Sequence, residues 1–309
     1  MAFICVYVVW GSTFMATRLG LESFSPFILS GFRFLIAGLL LLTWLRVRAE
    51  SMPDWKAIRT NAVSGILILG ISTGMLVWSQ QYLDTKEAAT LVAVEPFIFL
   101  LMDRSKWRFY LTNKAVIAGL IAGFAGLALF LGSESGTTTV SPMHDIAIIV
   151  LLSGAIFWVF GALYARNNNT TGSSIQMNVA IQLISAGLFS LFTATALDEW
   201  SLFNPAKIKL VSALSLGYLI IFGSLITYMC YVWLIANIPP AIVSTHTFVN
   251  PVIAVLLGSI FLHETVSGLQ IMALGVILFG VMLTNFASYS VPDKWKSKLK
   301  SSMQLFSLR

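Results

Sequence analysis

Charged residues are scarce in this chain, and their scarcity excludes most classes of soluble protein. Asp, Glu, Lys and Arg make up 10% of the 309 residues, whereas a soluble domain carries roughly 25% to cover its surface. Hydrophobic residues make up 57%, and their runs recur along the whole chain with no long polar region between them. We therefore expect a polytopic integral membrane protein without a soluble domain.

Cysteine and the common catalytic motifs are nearly absent as well. Cys5 and Cys230 both lie inside apolar runs, which favours neither a disulfide framework nor a metal site. The sequence has no G-x-x-x-x-G-K-S/T loop, which excludes direct ATP hydrolysis by this chain. His263-Glu264 would begin an H-E-x-x-H zinc motif, but Ser267 stands in place of the second histidine. We expect no cofactor, no metal and no enzymatic activity.

The apolar runs have the length of transmembrane helices. About 20 apolar residues cross the roughly 30 Å hydrocarbon core, and a chain in lipid must satisfy its backbone groups within a helix. Barrel strands would alternate apolar and polar residues, which these runs do not. We therefore predict an all-α integral membrane fold of ten transmembrane helices. Their predicted ranges are 2–20, 27–47, 62–83, 87–103, 114–132, 144–164, 176–197, 211–235, 240–262 and 267–288.

The basic residues predict the orientation of the chain. The net charge is +6, and most Lys and Arg fall on one side of the membrane if the N-terminus is cytoplasmic. Cytoplasmic segments usually carry this excess, so we expect both termini in the cytoplasm and no nucleic-acid partner. The tail, residues 293–309, also has the spacing of a basic amphipathic helix that would lie on membrane lipid. The alternative is a solvated tail whose lysines only enforce topology.

Three features of the first half of the chain return in the second half in the same order. We predict two repeats of five helices, residues 1–133 and 144–288, joined by a periplasmic linker at 134–143 and followed by a cytoplasmic tail at 289–309. Because five is odd, the second repeat would be inverted, and inverted repeats place a substrate site at their interface near mid-membrane. The matching positions are Trp10 and Arg18 with Trp158 and Arg166, residues 33–38 with 182–187, and Glu95-Pro96 with Asn250-Pro251.

Three motifs carry a resemblance to a known family. The runs W-G-S-T-F-M-A-T-R-L-G (10–20), S-G-F-R-F-L-I-A-G (30–38) and V-N-P-V-I-A-V-L-L-G (249–258), the last followed by H-E-T, resemble EamA-type members of the drug/metabolite transporter superfamily. The resemblance implies a ten-helix bacterial inner-membrane exporter of amino acids and other metabolites. The chain departs from the family's pattern at residues 103–106 and at Glu95, where an apolar residue is more usual.

The two polar residues that precede mid-span prolines, Glu95 and Asn250, are the first candidates for a substrate site. A carboxylate at mid-bilayer costs a few kcal/mol and normally faces a cavity or a partner. Proline donates no hydrogen bond, so we expect Pro96 to kink its helix and to leave the carbonyl of Val92 free. A backbone carbonyl without a hydrogen-bond donor, beside a titratable carboxyl group, is suited to bind an amine or a proton. The alternative for Glu95 is a neutral carboxyl bonded to a neighbouring helix.

His246 and Arg33 are further candidates. His246 lies one turn before Asn250 and faces similarly, although a lone histidine is often a packing residue. Arg33 could pair with Glu95, bind a substrate carboxylate, or snorkel to the outer interface.

Aromatic residues share predicted helical faces with hydroxyl and amide groups. Trp10 lies with Thr13, and Trp78 lies with Gln81. Such faces suit a small amphipathic solute, although Trp and Tyr also form belts at membrane interfaces. The predicted substrate-binding set is Glu95, Asn250, His246, Trp10, Thr13, Trp78, Gln81, Trp158, Tyr228 and Arg33.

These patterns favour a secondary transporter that exports small metabolites such as amino acids by alternating access. Its expected partners are a small-molecule substrate, membrane lipid and, through Glu95, a coupled proton. A carrier of phosphorylated sugars or nucleotides would need basic residues in the core of the second half, which has none between Arg166 and the tail apart from Lys207 and Lys209. The alternative is an intramembrane enzyme, channel or sensor that uses the same polar core.

Small residues form stripes on two predicted helices. One stripe contains Gly119, Gly123 and Gly126, and the other runs from Gly275 to Gly280. Such stripes are typical of close helix packing, either within one chain or at a homodimer seam.

Overall fold

The computed structural model describes residues 1–132, 142–168, 173–262 and 267–289, and within these ranges the chain forms helices and turns without a strand. The prediction of an all-α membrane fold is confirmed. Seven described helices are long and apolar enough to cross a membrane, or eight if the pair Arg104–Thr112 and Lys114–Phe130, bent by 92°, is one span. The number ten stays a prediction. The tail, most of the predicted linker and the H-E-T motif lie outside the described residues.

The helical segments follow the predicted ranges, except for a short helix at Trp107–Thr112 that lies between the fourth and fifth ranges. The largest difference is the third range, which begins at Trp55 because Asp54 caps it: the carboxylate accepts a hydrogen bond from the Ala57 N–H at 2.9 Å. The segments are α1 (Ala2–Gly20), α2 (Pro26–Val47), α3 (Trp55–Ser79), α4 (Thr85–Leu91), α5 (Glu95–Met102), α6 (Trp107–Thr112), α7 (Lys114–Gly132), α8 (His144–Asn167), α9 (Ile175–Ala196), α10 (Leu210–Asn237), α11 (Pro240–Val243), α12 (His246–Leu262) and α13 (Gly268–Tyr289).

Apolar side chains cover the outside of the bundle, and polar groups bond to one another inside it. Phe192 and Met282 are each 73% exposed. In the interior, the Tyr228 hydroxyl donates to Gln182 Oε1 at 2.6 Å, and Gln182 Nε2 donates to Asn61 Oδ1 at 2.8 Å. Because lipid offers no hydrogen bonds, this inside-out distribution is what a membrane bundle requires.

The predicted fourth span is interrupted just before its proline. α4 passes through a 3₁₀ turn at Val92–Val94 into α5, which begins with Glu95 and Pro96. The Glu95 N–H donates to the Val92 carbonyl in this turn. The prediction that the Val92 carbonyl is free is therefore wrong, because the tighter 3₁₀ pattern supplies a donor one residue before the proline.

The predicted ninth span is also interrupted, between α11 and α12. Four consecutive polar side chains, residues 244–247, are buried there. Each bonds to the backbone carbonyl three residues before it, at distances of 3.1, 2.7, 3.0 and 2.8 Å in chain order. These side chains satisfy carbonyls at the interruption.

α3 and α10 each contain an eight-residue π-helical stretch, Ile66–Thr73 and Leu219–Ile226. Each stretch has glycine at its fifth position, Gly70 in the first and Gly223 in the second. π-Helical turns are rare and are found frequently at functional sites. Both stretches contribute residues to the cavity described below.

The two small-residue stripes meet within the chain, where α7 packs against α13. A Cβ on Gly119 would lie 2.6 Å from the Gly280 carbonyl oxygen and 2.8 Å from the Thr284 backbone nitrogen. The two backbones are therefore so close that only glycine, which has no side chain, fits at position 119. Gly275, on the same stripe as Gly280, has nothing within 4 Å of the equivalent position.

Gly119→Ala is expected to destabilise the chain, by about 1–3 kcal/mol as in other overpacked sites, because the atoms it meets are backbone. Gly275→Ala is the matched control, which should be neutral or stabilise by up to about 1 kcal/mol through helix propensity. Thermal unfolding of both purified variants in detergent measures the difference. Equal unfolding midpoints would contradict the α7–α13 contact.

Candidate substrate site

A cavity with a volume of about 80 Å³ open to the centres of water-sized molecules lies between α1, α2, α3, α8, α10 and the two interrupted spans. Its wall combines indole, phenol and imidazole rings with hydroxyl, amide, carboxyl and guanidinium groups. Every predicted site residue except Trp78 and Gln81 lines it. The polar and aromatic lining residues are Trp10, Thr13, Phe14, Thr17, Arg33, Phe34, Ser72, Thr73, Gln80, Glu95, Trp158, Ser224, Tyr228, His246 and Asn250.

Glu95 and Asn250 bring unpaired acceptors to this cavity. Glu95 is 5% exposed and Asn250 is 2% exposed. Among the described residues, neither Glu95 Oε2 nor Asn250 Oδ1 has a hydrogen-bond partner. A buried acceptor left unpaired costs about 1–3 kcal/mol. The described part of the chain therefore leaves both oxygens unsatisfied.

Aromatic rings form one wall of the cavity. The rings of Trp10 and Trp158, which hold matching positions in the predicted repeats, meet edge to face with centroids 5.5 Å apart. Trp158 Nε1 donates to the Tyr231 hydroxyl at 2.7 Å, and Trp10 Nε1 donates to the Gly223 carbonyl at 3.2 Å. With both indole N–H groups bonded inside the protein, the rings can offer apolar surface to a solute.

His246 is part of this wall and is also held by packing. It is 3% exposed, and its ring centroid lies 4.9 Å from that of Trp10 and 5.9 Å from that of Tyr231. Nδ1 donates to the Val243 carbonyl at 3.0 Å. That bond assigns the tautomer and leaves Nε2 as an acceptor in the neutral ring.

Arg33 is buried at the cavity wall with 7% of its surface exposed. Its Nε donates to Ser224 Oγ at 2.8 Å, and its guanidinium carbon lies 5.0 Å from the Phe34 ring centroid. Within the described part of the chain, no carboxylate lies within 4.0 Å of its nitrogens. Arg33 therefore forms no ion pair with Glu95, and its side chain is buried and does not extend to the protein surface.

Trp78 and Gln81 lie outside the cavity, contrary to the prediction. Gln81 is exposed, and its Nε2 donates to the Trp78 carbonyl at 3.2 Å. The prediction extended helical spacing through residue 81, but α3 ends at Ser79 and the chain turns there. The turn brings Gln80 inward instead, where its Nε2 donates to the Phe14 carbonyl at 3.2 Å. The amide that lines the cavity is thus one residue earlier than predicted.

A buried ion pair joins the two halves away from the cavity. Asp103 lies just beyond α5, and its carboxylate accepts a hydrogen bond from each Nη group of Arg166 at 2.8 Å. It also accepts hydrogen bonds from the hydroxyl groups of Ser105 at 2.6 Å and Tyr110 at 3.0 Å. Burial alone would raise the pKa of Asp103, but these hydrogen bonds and the Arg166 charge outweigh it and hold the pKa below its ordinary value. The sequence patterns do not predict this pair.

Comparisons with known proteins show the family and the fold of the chain. The sequence profile of the EamA-like transporter family matches residues 1–132 and 145–286. The "Uncharacterized inner membrane transporter YedA" of Escherichia coli K12 is 34% identical over 299 residues, which cover 95% of this chain and 92% of that protein. The "Uncharacterized transporter YvbV" of Bacillus subtilis is 25% identical over 283 residues, which cover 91% and 89%. A solved crystal structure has the same fold, with a TM-score of 0.72 over 94% of this chain and 97% of that one at 18% identity.

Proposed function

Because the chain belongs to the EamA-like transporter family, we propose that it is a secondary transporter that exports small metabolites such as amino acids across the bacterial inner membrane by alternating access. The observation that carries the proposal is the cavity with the unpaired oxygens of Glu95 and Asn250 in its wall. Each residue follows an interruption of its span. Non-helical backbone at membrane depth is tolerated where it lines a cavity or a substrate site.

The chemistry of the wall supports a small solute with hydrogen-bond donors. Two acceptor oxygens without partners among the described residues suit an amine or ammonium group. The rings of Trp10 and Trp158 suit an apolar side chain. A metabolite of amino-acid size, with one polar end and an apolar body, fits both features.

The placement of repeat-related residues supports alternating access. Trp10 contacts Trp158, and Glu95 and Asn250 share one cavity, so matching positions of the predicted repeats meet at one site. Inverted repeats around such a site can exchange two mirror-related arrangements, each open to one side. The proposal includes cytoplasmic termini and proton coupling through Glu95.

Flux into sealed inside-out vesicles tests the proposal. With a panel of radiolabelled amino acids, polyamines and drugs, a carrier should show uptake that saturates and that accelerates when the vesicles are preloaded with unlabelled solute. Vesicles without the chain are the control. Uptake that neither saturates nor shows counterflow would indicate a channel, and a chemically altered solute would indicate an intramembrane enzyme.

A further inference from the structure

Arg33 lies in the cavity as a buried cation that the protein only partly satisfies. Of the five N–H groups on its guanidinium, the Nε–H donates to Ser224 Oγ at 2.8 Å. The two Nη groups have no acceptor among the described residues, and no carboxylate there lies within 4.0 Å. An uncompensated buried charge is strongly destabilising, so a residue of this kind in a membrane protein marks a functional site.

The π-helical stretch of α10 builds the place in which this guanidinium sits. Ser224 anchors Nε, while its neighbour Gly223 has no side chain to fill the space beside Nη2. A Cβ on Gly223 would lie 2.8 Å from Nη2 and 3.1 Å from Thr13 Cγ2. The guanidinium carbon lies 5.0 Å from the ring centroid of Phe34, the residue that follows Arg33 on α2. The guanidinium is thus held by the hydrogen bond of Nε, while its two Nη groups have no hydrogen-bond partner among the described residues.

The matching position of the second half shows the contrast. Gln182, which aligns with Arg33 in the predicted repeats, bonds at both ends to protein groups: Nε2 donates to Asn61 at 2.8 Å, and Oε1 accepts from Tyr228 at 2.6 Å. A residue needed only to tie helices together is saturated in this way. Arg33 is not.

We infer that Arg33, positioned by Ser224 and Gly223, is a carboxylate-binding subsite of the cavity; the inference rests on the proposed transport function. The unbonded pair of Nη groups matches the two oxygens of a carboxylate, which accepts two parallel hydrogen bonds from such a fork. A phosphate is disfavoured because Arg33 is the only Lys or Arg among the described cavity-lining residues. With Glu95 and Asn250 as acceptors for an amine, the cavity selects a zwitterion of the α-amino-acid type.

Thermal unfolding of the purified full-length chain in detergent tests the subsite with two matched panels, the L-amino acids and their methyl esters. A bound ligand raises the unfolding midpoint, and at a given concentration a ligand that binds more tightly raises it further. One or more amino acids should stabilise the wild type. The corresponding methyl ester should bind with an affinity roughly tenfold lower or weaker still, the usual effect of losing a charged hydrogen bond. Arg33→Gln should abolish this discrimination. Ser224→Ala should weaken amino-acid binding, whereas Ser190→Ala, at an equally buried serine outside the cavity, should not.

The outcomes separate the subsite from the transport proposal. Esters that bind as tightly as the acids, or discrimination that survives in Arg33→Gln, would overturn the subsite and leave the carrier in place. If neither panel stabilises the chain, both the subsite and the amino-acid substrate class are overturned. If Arg33→Gln fails to fold, Arg33→Lys and Ser224→Ala give the same readout, because each keeps the positive charge and disturbs only the fork or its anchor.

Discussion

Replacing Asp103 with asparagine will lower the stability of the purified chain by about 3 kcal/mol, the lower end of the range for breaking a buried ion pair. Asp103 is 2% exposed and binds Arg166 through both of its oxygens. Asparagine would leave the guanidinium without a countercharge. The effect is expected at the lower end of the range because the Arg166 side chain is itself 16% exposed.

Glu22→Gln is the matched control for this prediction. Glu22 pairs with Lys209 at the same distance of 2.8 Å, but its side chain is 41% exposed and that of Lys209 is 60% exposed. Exposed pairs contribute at most about 1 kcal/mol, so Glu22→Gln should shift the thermal midpoint little. Equal shifts in the two variants would contradict the structural role given to Asp103.

The same pair predicts a dependence on pH. Folding lowers the pKa of Asp103 from its ordinary value of 3.8. Its contribution is therefore fully present above the ordinary value and is lost as the pH falls through the lower value of the folded chain. The stability difference between wild type and Asp103→Asn should accordingly be constant near neutrality and shrink only in strong acid.

Replacing Glu95 with glutamine, or Asn250 with alanine, will lower transport by tenfold or more, equivalent to about 1.4 kcal/mol. Each change removes or weakens an acceptor in the cavity wall that has no partner among the residues the structure describes. Membrane abundance should stay unchanged, because neither oxygen bonds to another described residue. Glu87→Gln is the matched control, since Glu87 lies in the same predicted span but pairs with His144 outside the cavity. Wild-type rates in both cavity variants would place the site elsewhere.

Glu95→Gln also separates proton coupling from substrate binding. A glutamine keeps the shape of the side chain but cannot exchange a proton. If Glu95 couples transport to protons, the variant should lose the pH dependence of net flux and retain exchange of solute for solute. A variant with the pH profile of the wild type would remove Glu95 from the coupling role.

Patterns that depend only on local spacing were read well from the sequence. The apolar runs correspond to helices such as Ala2–Gly20 and Pro26–Val47, because length and hydropathy determine which segments enter lipid. The family was predicted from three short motifs and is confirmed. The division into two inverted halves stays a prediction.

Features that depend on contacts between distant residues could not be read in this way. Gln80 rather than Gln81 enters the cavity because α3 ends two residues earlier than a continuous helical face would require. The pairing of Asp103 with Arg166 and the anchoring of Arg33 by Ser224 join segments far apart in the chain. Helical periodicity carries no information on which faces meet, or on the π-helical stretch that places Ser224.

Accessibility of a single cavity cysteine tests alternating access most directly. Thr13 lines the cavity, so Thr13→Cys would be made in a chain whose Cys5 and Cys230 are replaced by alanine, and the protein reconstituted in sealed vesicles. Alternating access predicts that a small membrane-impermeant thiol reagent modifies this cysteine from either side. It also predicts that the reagent does not reach glutathione trapped in the opposite compartment. Modification from one side only, or passage of the reagent through the protein, would contradict it.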